Sequence, residues 1–221
     1  MPEVKRKILL AAVFVAVFAL SRIPHLLPPN FSVVYAFAFC SGVFFSGRMA
    51  WWLPLTTIFA TDLALNFYYQ QQSPANDVWS AANLANLLFN YVAYAALIFL
   101  GRRFKAQNSL ATLCGGGLLG AILFYFITNT AAWLFNPFHN LEYTKNLAGW
   151  IIALTKGTAG YPPTWEFFRH TLLSTGLFTA LFAAAGKLSA ESPADKTAGA
   201  REPEGEHGEE KPESQPEEAK A

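Results

Sequence analysis

The sequence predicts an all-α polytopic membrane protein, a bundle of six transmembrane helices. Three observations lead there. Of 221 residues, 53% are hydrophobic, with 20 Phe and 6 Trp. These residues fall into separate long runs, and a helix needs about 20 apolar residues to cross the hydrocarbon core. Finally, the basic residues alternate between loops in the way that sets orientation in a bilayer.

The candidate spans are Ile8–Leu26, Phe31–Ser46, Ala50–Tyr69, Leu84–Leu100, Leu110–Leu134 and Phe167–Leu188. They leave no room for a soluble catalytic domain. The first follows a basic segment and has the outline of a signal peptide, but it leads into SRIPHLLPP with no small-x-small cleavage site, so a retained helix is expected. The second is short for a crossing. The stretch from Asn146 to Leu154 is shorter still, so it is expected to be re-entrant or to lie at the interface. Trp150 and Trp165 read as interface anchors.

Charge divides the chain into two regions. Residues 1–188 carry 12 Lys and Arg against five acids, a net of +7. Residues 189–221 carry 10 acids against four bases, a net of −6. That tail is rich in Glu, Pro, Gly and Ala. It is expected to be a disordered, acidic, cytoplasmic extension, because it has too little apolar surface to offset its chain entropy. With the N-terminus inside, the inner loops hold Lys5, Arg6, Lys7, Arg48, Arg102, Arg103, Lys105 and Lys187, and the outer loops only Arg22, Lys145, Lys156 and Arg169. This bias predicts both termini in the cytoplasm and a multi-pass place in the cell's inner membrane, with lipid as the surrounding partner. Nothing in the charge pattern suggests nucleic acid.

Polar residues inside the runs form stripes. Asp62 and Asn66 are one turn apart in the third span. An acid at that depth costs from about 2.5 to more than 10 kcal/mol, so it faces a partner, a cavity or a pathway. Asn83, Asn86 and Asn90 share a face of the fourth helix, which Tyr94 extends. Tyr125, Asn129, Trp133 and Asn136 share a face of the fifth. All three stripes fall in the outer half, beneath the long loops Gln70–Asn83 and Asn136–Pro163. They suit one pocket for a neutral, hydrogen-bonding, partly aromatic small molecule. Hydrogen bonding between helices is the competing reading. Glu166, Arg169 and His170 open the last helix, spaced for a salt bridge or a gate.

Two small-residue motifs permit close helix approach: Ala12 with Ala16, and Gly116 with Gly120. The two cysteines, Cys40 and Cys114, fall inside spans and read as buried apolar residues. No hydrolase, nucleotide-binding or metal motif is present, and His25, His139, His170 and His207 lack metal-ligand spacing. The expectation is a protein with no catalytic residue, no cofactor and no metal.

Four segments in order resemble an uncharacterised bacterial family of small integral membrane proteins: SRIPHLLPPNFSVVYAFAFCSGVFF, PLTTIFATDLAL, FITNTAAWL, and YTKNLAGW through YPPTWEFFRHTLLSTGLFTALF. They span most of residues 21–182. The His25-to-Asn30 signature is two residues longer than that family's usual form, and Ser174-Thr175 stands where the family often has Gly-Asp. The family in turn resembles the membrane S-components of energy-coupling-factor transporters, six-helix proteins that bind vitamins or metal ions in an outer-half pocket. The resemblance implies vitamin-type transport, with a docking face at Ala12 and Ala16 for coupling transmembrane and ATPase subunits. Asp62, Asn66, Asn86, Asn90 and Asn129 are the candidate ligand-binding residues, and Arg22, His25 and Asn30 are placed to close the pocket from the first outer loop. A structural or assembly protein with no ligand is the alternative.

Overall fold

A computed structural model describes residues 3–28, 30–75 and 77–190. The tail expected to be disordered lies outside the described residues. Among them the chain is all-helical: α1 (Glu3–Ser21), α2 (Val34–Phe44), α3 (Met49–Gln72), α4 (Ala81–Gly101), α5 (Leu110–Phe135), α6 (Leu147–Leu154) and α7 (Thr164–Ala190). That is one helix more than expected, because the apolar stretch after Asn146 forms α6. Eight residues reach about 12 Å, far short of a crossing.

Helix ends depart from the sequence expectation where proline and caps intervene. α1 stops at Ser21 and not at Leu26, since Pro24 cannot continue a helix and His25 takes a left-handed φ of 65°. α2 shrinks to 11 residues, with Ser32 Oγ accepting from the Val34 amide at 3.2 Å. Ser80, Ser109 and Asn146 cap α4, α5 and α6 by accepting from Asn83, Thr112 and Gly149 amides. α5 ends on Asn136, whose φ of 42° is the left-handed stop that asparagine tolerates.

The short helix α2 is the centre of the bundle. Ala36 to Cys40 are fully buried, and α2 packs against α3, α4, α5 and α7. Phe37 stacks on Phe18 of α1 with centroids 4.7 Å apart, and Phe182 of α7 closes on Phe14 at 4.2 Å. α2 and α4 meet backbone to backbone. A Cβ on Gly42 would strike the Ile98 carbonyl, and one on Gly101 would strike that of Phe39. Only glycine permits that crossing.

Three helices, α4, α5 and α7, are long and apolar enough to cross a membrane. α2 is too short for this, α1 spends its first turn on charged residues, and α3 is diluted by Asp62, Asn66 and three glutamines. Leu84, Leu88 and Val92 of α4 and Leu173, Leu177 and Leu181 of α7 recur at every turn and are exposed. Such rows form an apolar belt of the kind lipid covers. Cys40 is buried within this core, while Cys114 is only half-buried, and both are free thiols.

Candidate functional site

The ends of α1, α3 and α5 and the starts of α4 and α7 gather at one end of the bundle. Every predicted ligand-binding residue belongs to this half, but they form two constellations and not the single pocket expected.

The first is built on charge. The Arg22 guanidinium at the end of α1 makes an ion pair with Asp62 of α3. Tyr91 of α4 donates its hydroxyl to the other Asp62 oxygen at 3.0 Å. The Asp62 side chain is 12% exposed and that of Arg22 24%. The Asp62 carboxylate therefore has two partners, from α1 and α4. Arg22 carries the constellation to a cavity of about 290 Å³, shared with His25, Asn30, Tyr35, Tyr69 and Tyr94. Arg22 Nε is buried with no hydrogen-bond partner among the described residues, which leaves one donor unused. His25 and Asn30 both hold positive φ, at 65° and 60°, and these two turns fold the first loop over the cavity. Beneath, Tyr94 stacks on Phe124 at 5.4 Å and Tyr35 meets the same ring edge-on at 4.6 Å, giving an aromatic floor.

The second constellation is built on amides. Asn66 of α3 and Asn83, Asn86 and Asn90 of α4 line a cavity of about 220 Å³. Asn83 also lines an adjoining cavity of about 620 Å³ with Asn129, Asn140, Tyr143, Tyr161 and Phe167. No Lys, Arg, Asp or Glu lines either one. Asn129 Nδ2 donates to the Tyr125 carbonyl one turn back, at 2.8 Å, which leaves its oxygen to the cavity. Among the described residues, the side chains of Asn66, Asn86 and Asn90 hydrogen-bond to no other protein group. Bonding between helices does not account for them.

The α5 stripe is largely corrected by the structure. Tyr125 donates to the Leu154 carbonyl, Trp133 Nε1 to that of Thr144 at 2.7 Å, and Asn136 Nδ2 to that of Asn140 at 2.9 Å. These groups hold the 136–163 loop to the bundle, whereas Asn129 lines a cavity. Trp150 Nε1 donates to Thr130 Oγ1 of α5 at 3.0 Å. Trp165 is half-exposed, with the Arg169 guanidinium 5.5 Å from its ring centre. The loop closes on itself where Glu142 accepts from the Ala159 amide at 2.9 Å. That bond, then one from its own amide, holds the Glu142 carboxyl below its ordinary pKa. Burial pushes the Tyr143 phenol above its ordinary range, and Glu142 adds to this, so Tyr143 faces its cavity as a neutral donor and acceptor.

Sequence reasoning passed over Tyr91, the second partner of Asp62. Its signal was present in retrospect: Tyr91 follows Asn90, facing α3 one position off the amide stripe. It also passed over Tyr143 and Tyr161, which sit in loop sequence without periodicity. Ala12 and Ala16 are exposed on the outer face of α1, uncovered by the described chain. No group of three or more His, Cys, Asp or Glu residues able to hold a metal occurs among the described residues.

A family model matches residues 2–196, nearly the whole membrane-compatible region. The chain belongs to DUF6580, a family of unknown function. No curated protein and no solved structure matches the chain. DUF6580 membership agrees with the resemblance to an uncharacterised family and carries no activity with it, so the functional reading rests on the cavities.

Proposed function

We propose that this DUF6580 protein is a substrate-binding membrane protein of the S-component kind, which captures a small, neutral, water-soluble molecule such as a vitamin and passes it inward. In this reading the chain crosses the inner membrane six times, with α6 as part of an outer lid and both termini in the cytoplasm. It is a binding and transport protein and not an enzyme. It works with a coupling transmembrane subunit and an ATPase, since the chain has no nucleotide-binding motif of its own.

The observation that carries the reading is the pair of adjoining amide-lined cavities joined at Asn83. Asn66, Asn86 and Asn90 present carboxamides that no protein group satisfies, with no formal charge around them. These side chains are partly exposed, so water can satisfy them in the free protein, and a ligand with matching donors and acceptors takes the place of that water. The larger cavity falls within the usual size for small-molecule sites, and its tyrosines offer flat faces for a ring.

The test is the molecule retained through mild detergent purification, read by mass spectrometry. A single water-soluble compound, lost from Asn90→Ala and Asn86→Ala, supports the reading. A correctly folded protein that retains nothing, and binds nothing from a vitamin panel, favours a structural or assembly role.

A further inference from the structure

A groove of about 270 Å³ runs between α1 and α3. It shares Arg22, Ile23, Pro24 and Leu65 with the cavity of about 290 Å³ beneath the first loop, so the two adjoin. Their linings differ. The groove is walled by Ala19 and Ile23 from α1 and its end, and by Ala64 and Leu65 from α3. Thr61 also lines it, but its Oγ1 is spent on the Ile58 carbonyl of its own helix at 2.9 Å. The inner cavity is richer in polar groups. Ser21 Oγ donates to the Phe18 carbonyl at 2.6 Å, and Ser32 Oγ accepts from the Val34 amide, so both are spent. Arg22 gives Nη2 to Asp62, and among the described residues no hydrogen bond engages its Nε or Nη1. Tyr94 lines the same cavity at 8% exposure, and its hydroxyl has no protein partner among the described residues either. No Lys, Asp or Glu lines either space, and the Arg22 charge is met by Asp62.

We propose that the two spaces together bind an isoprenoid quinone from the membrane. Its ring lies over the aromatic floor of Tyr94 and Tyr35, a ring carbonyl accepts from Arg22 and the Tyr94 hydroxyl, and the tail lies in the α1–α3 groove. Because Asp62 already compensates Arg22, a phosphate or carboxylate headgroup would bring in a charge with no counterpart, at a cost in desolvation. What remains on offer is donors, and a neutral carbonyl satisfies them. An aromatic floor favours a planar ring over a branched glycerol backbone. The apolar groove beside it gives an apolar chain surface to bury against. This inference goes beyond the water-soluble ligand, since the quinone is a second molecule and shares no lining residue with the amide cavities. It rests on the proposed function in one respect: lipid reaches the groove because α1 and α3 cross the membrane in that reading.

The test uses the full chain in uncharged detergent, with bound species counted by native mass spectrometry at equal probe concentration. The probes are a ubiquinone with two isoprene units, the same quinone ring without a tail, geraniol as the tail without the ring, and dioleoylglycerol as a neutral lipid. The expected result is a tailed-quinone adduct favoured about tenfold or more over each of the other three. Tyr94→Phe keeps the ring stack and loses the hydroxyl, and is expected to weaken the adduct about three- to tenfold. Ala19→Trp and Ala64→Trp fill the groove from its two walls at exposed positions. Loss of the adduct in whichever of these two runs as a monodisperse protein supports the site. Retention in both, or an adduct unchanged in Tyr94→Phe, overturns the proposal. Equal binding of the tailless ring overturns it in favour of a water-soluble ring ligand, and equal binding of geraniol or dioleoylglycerol in favour of an unselective lipid groove. Asn90→Ala is expected to retain the quinone. A retained water-soluble compound appears at its own mass in the same spectra, so the failure of either reading is seen apart from the other.

Discussion

Arg22 and Asp62, 40 residues apart, form an ion pair that ties the end of α1 to the middle of α3. Tyr91 of α4 makes the carboxylate a three-helix junction. Breaking one partner of such a pair strands the other at depth, while removing both removes the cost as well. Asp62→Ala and Arg22→Ala are therefore each expected to lower stability by about 2–3 kcal/mol, a discount from buried-pair values because both groups keep some exposure. The double substitution is expected to cost clearly less than the sum. Unfolding titrations in mixed detergent complete the cycle, and strict additivity would remove the pair from any structural account.

Asn86 and Asn90 separate glue from site. An interhelical hydrogen bond is worth about 0.6–2 kcal/mol, so if these amides held helices together their loss would register at that level. They have no protein partner among the described residues, so Asn86→Ala and Asn90→Ala are expected to change stability by less than about 0.5 kcal/mol. The same substitutions are expected to abolish ligand retention. Joint loss of stability and retention would return these residues to a structural role.

The α2–α4 crossing yields a sharper expectation. Gly101→Ala puts a methyl group on the Phe39 carbonyl, a backbone atom that cannot turn aside. Overpacking of this kind costs about 1–3 kcal/mol or more. Gly115→Ala meets open space within 4 Å and is expected to be neutral or slightly stabilising, as alanine favours helix. Thermal melts of the two variants side by side check the contrast.

These cases mark what the sequence carried. Helical periodicity and apolar runs located six of the seven helices within a few residues, because both signals are local. The amide stripe of α4 was legible for the same reason. The fate of the α5 stripe was not, since Tyr125, Trp133 and Asn136 are spaced like cavity residues but spend their polar atoms on the segment that follows, 4 to 29 positions away, Leu154 being the farthest. Tertiary pairing of that sort leaves no periodic trace. The Gly42–Gly101 approach was hidden similarly: Gly101 has no small residue four positions away, and the Ala38–Gly42 pair of α2 does not by itself name the helix it meets.

The 136–163 loop carries a pH dependence through Glu142. Its carboxyl titrates below the ordinary glutamate range because the charged form accepts the Ala159 amide. A depressed folded-state pKa means that the bond's contribution is present above the unfolded value, about 4.3, and is lost as pH falls through the lower folded value. Hydrogen exchange at Ala159, normalised to its intrinsic rate, is expected to be protected at neutral pH and to lose protection in acid below the usual glutamate range. Glu142→Gln keeps an acceptor oxygen but cannot titrate there, so its protection is expected to be flat across the same window. An identical acid transition in the glutamine variant would assign the change to another group.

Ala12 and Ala16 are exposed one turn apart on α1, and nothing in the described chain covers them. Leucine at both positions adds bulk outward and meets no wall within the protein, so folding and ligand retention are expected to be unchanged. A partner helix seated on the alanine face would lose its close approach, and association energy between helices in lipid comes largely from such packing. Ala12→Leu/Ala16→Leu is thus expected to lose co-purification with a coupling subunit that the unsubstituted protein retains. The matched control is Val13→Leu, exposed on the same helix beside that face. Equal retention of the partner by all three proteins would place the coupling surface elsewhere, and ligand uptake in liposomes holding this chain alone would remove the need for a coupling subunit.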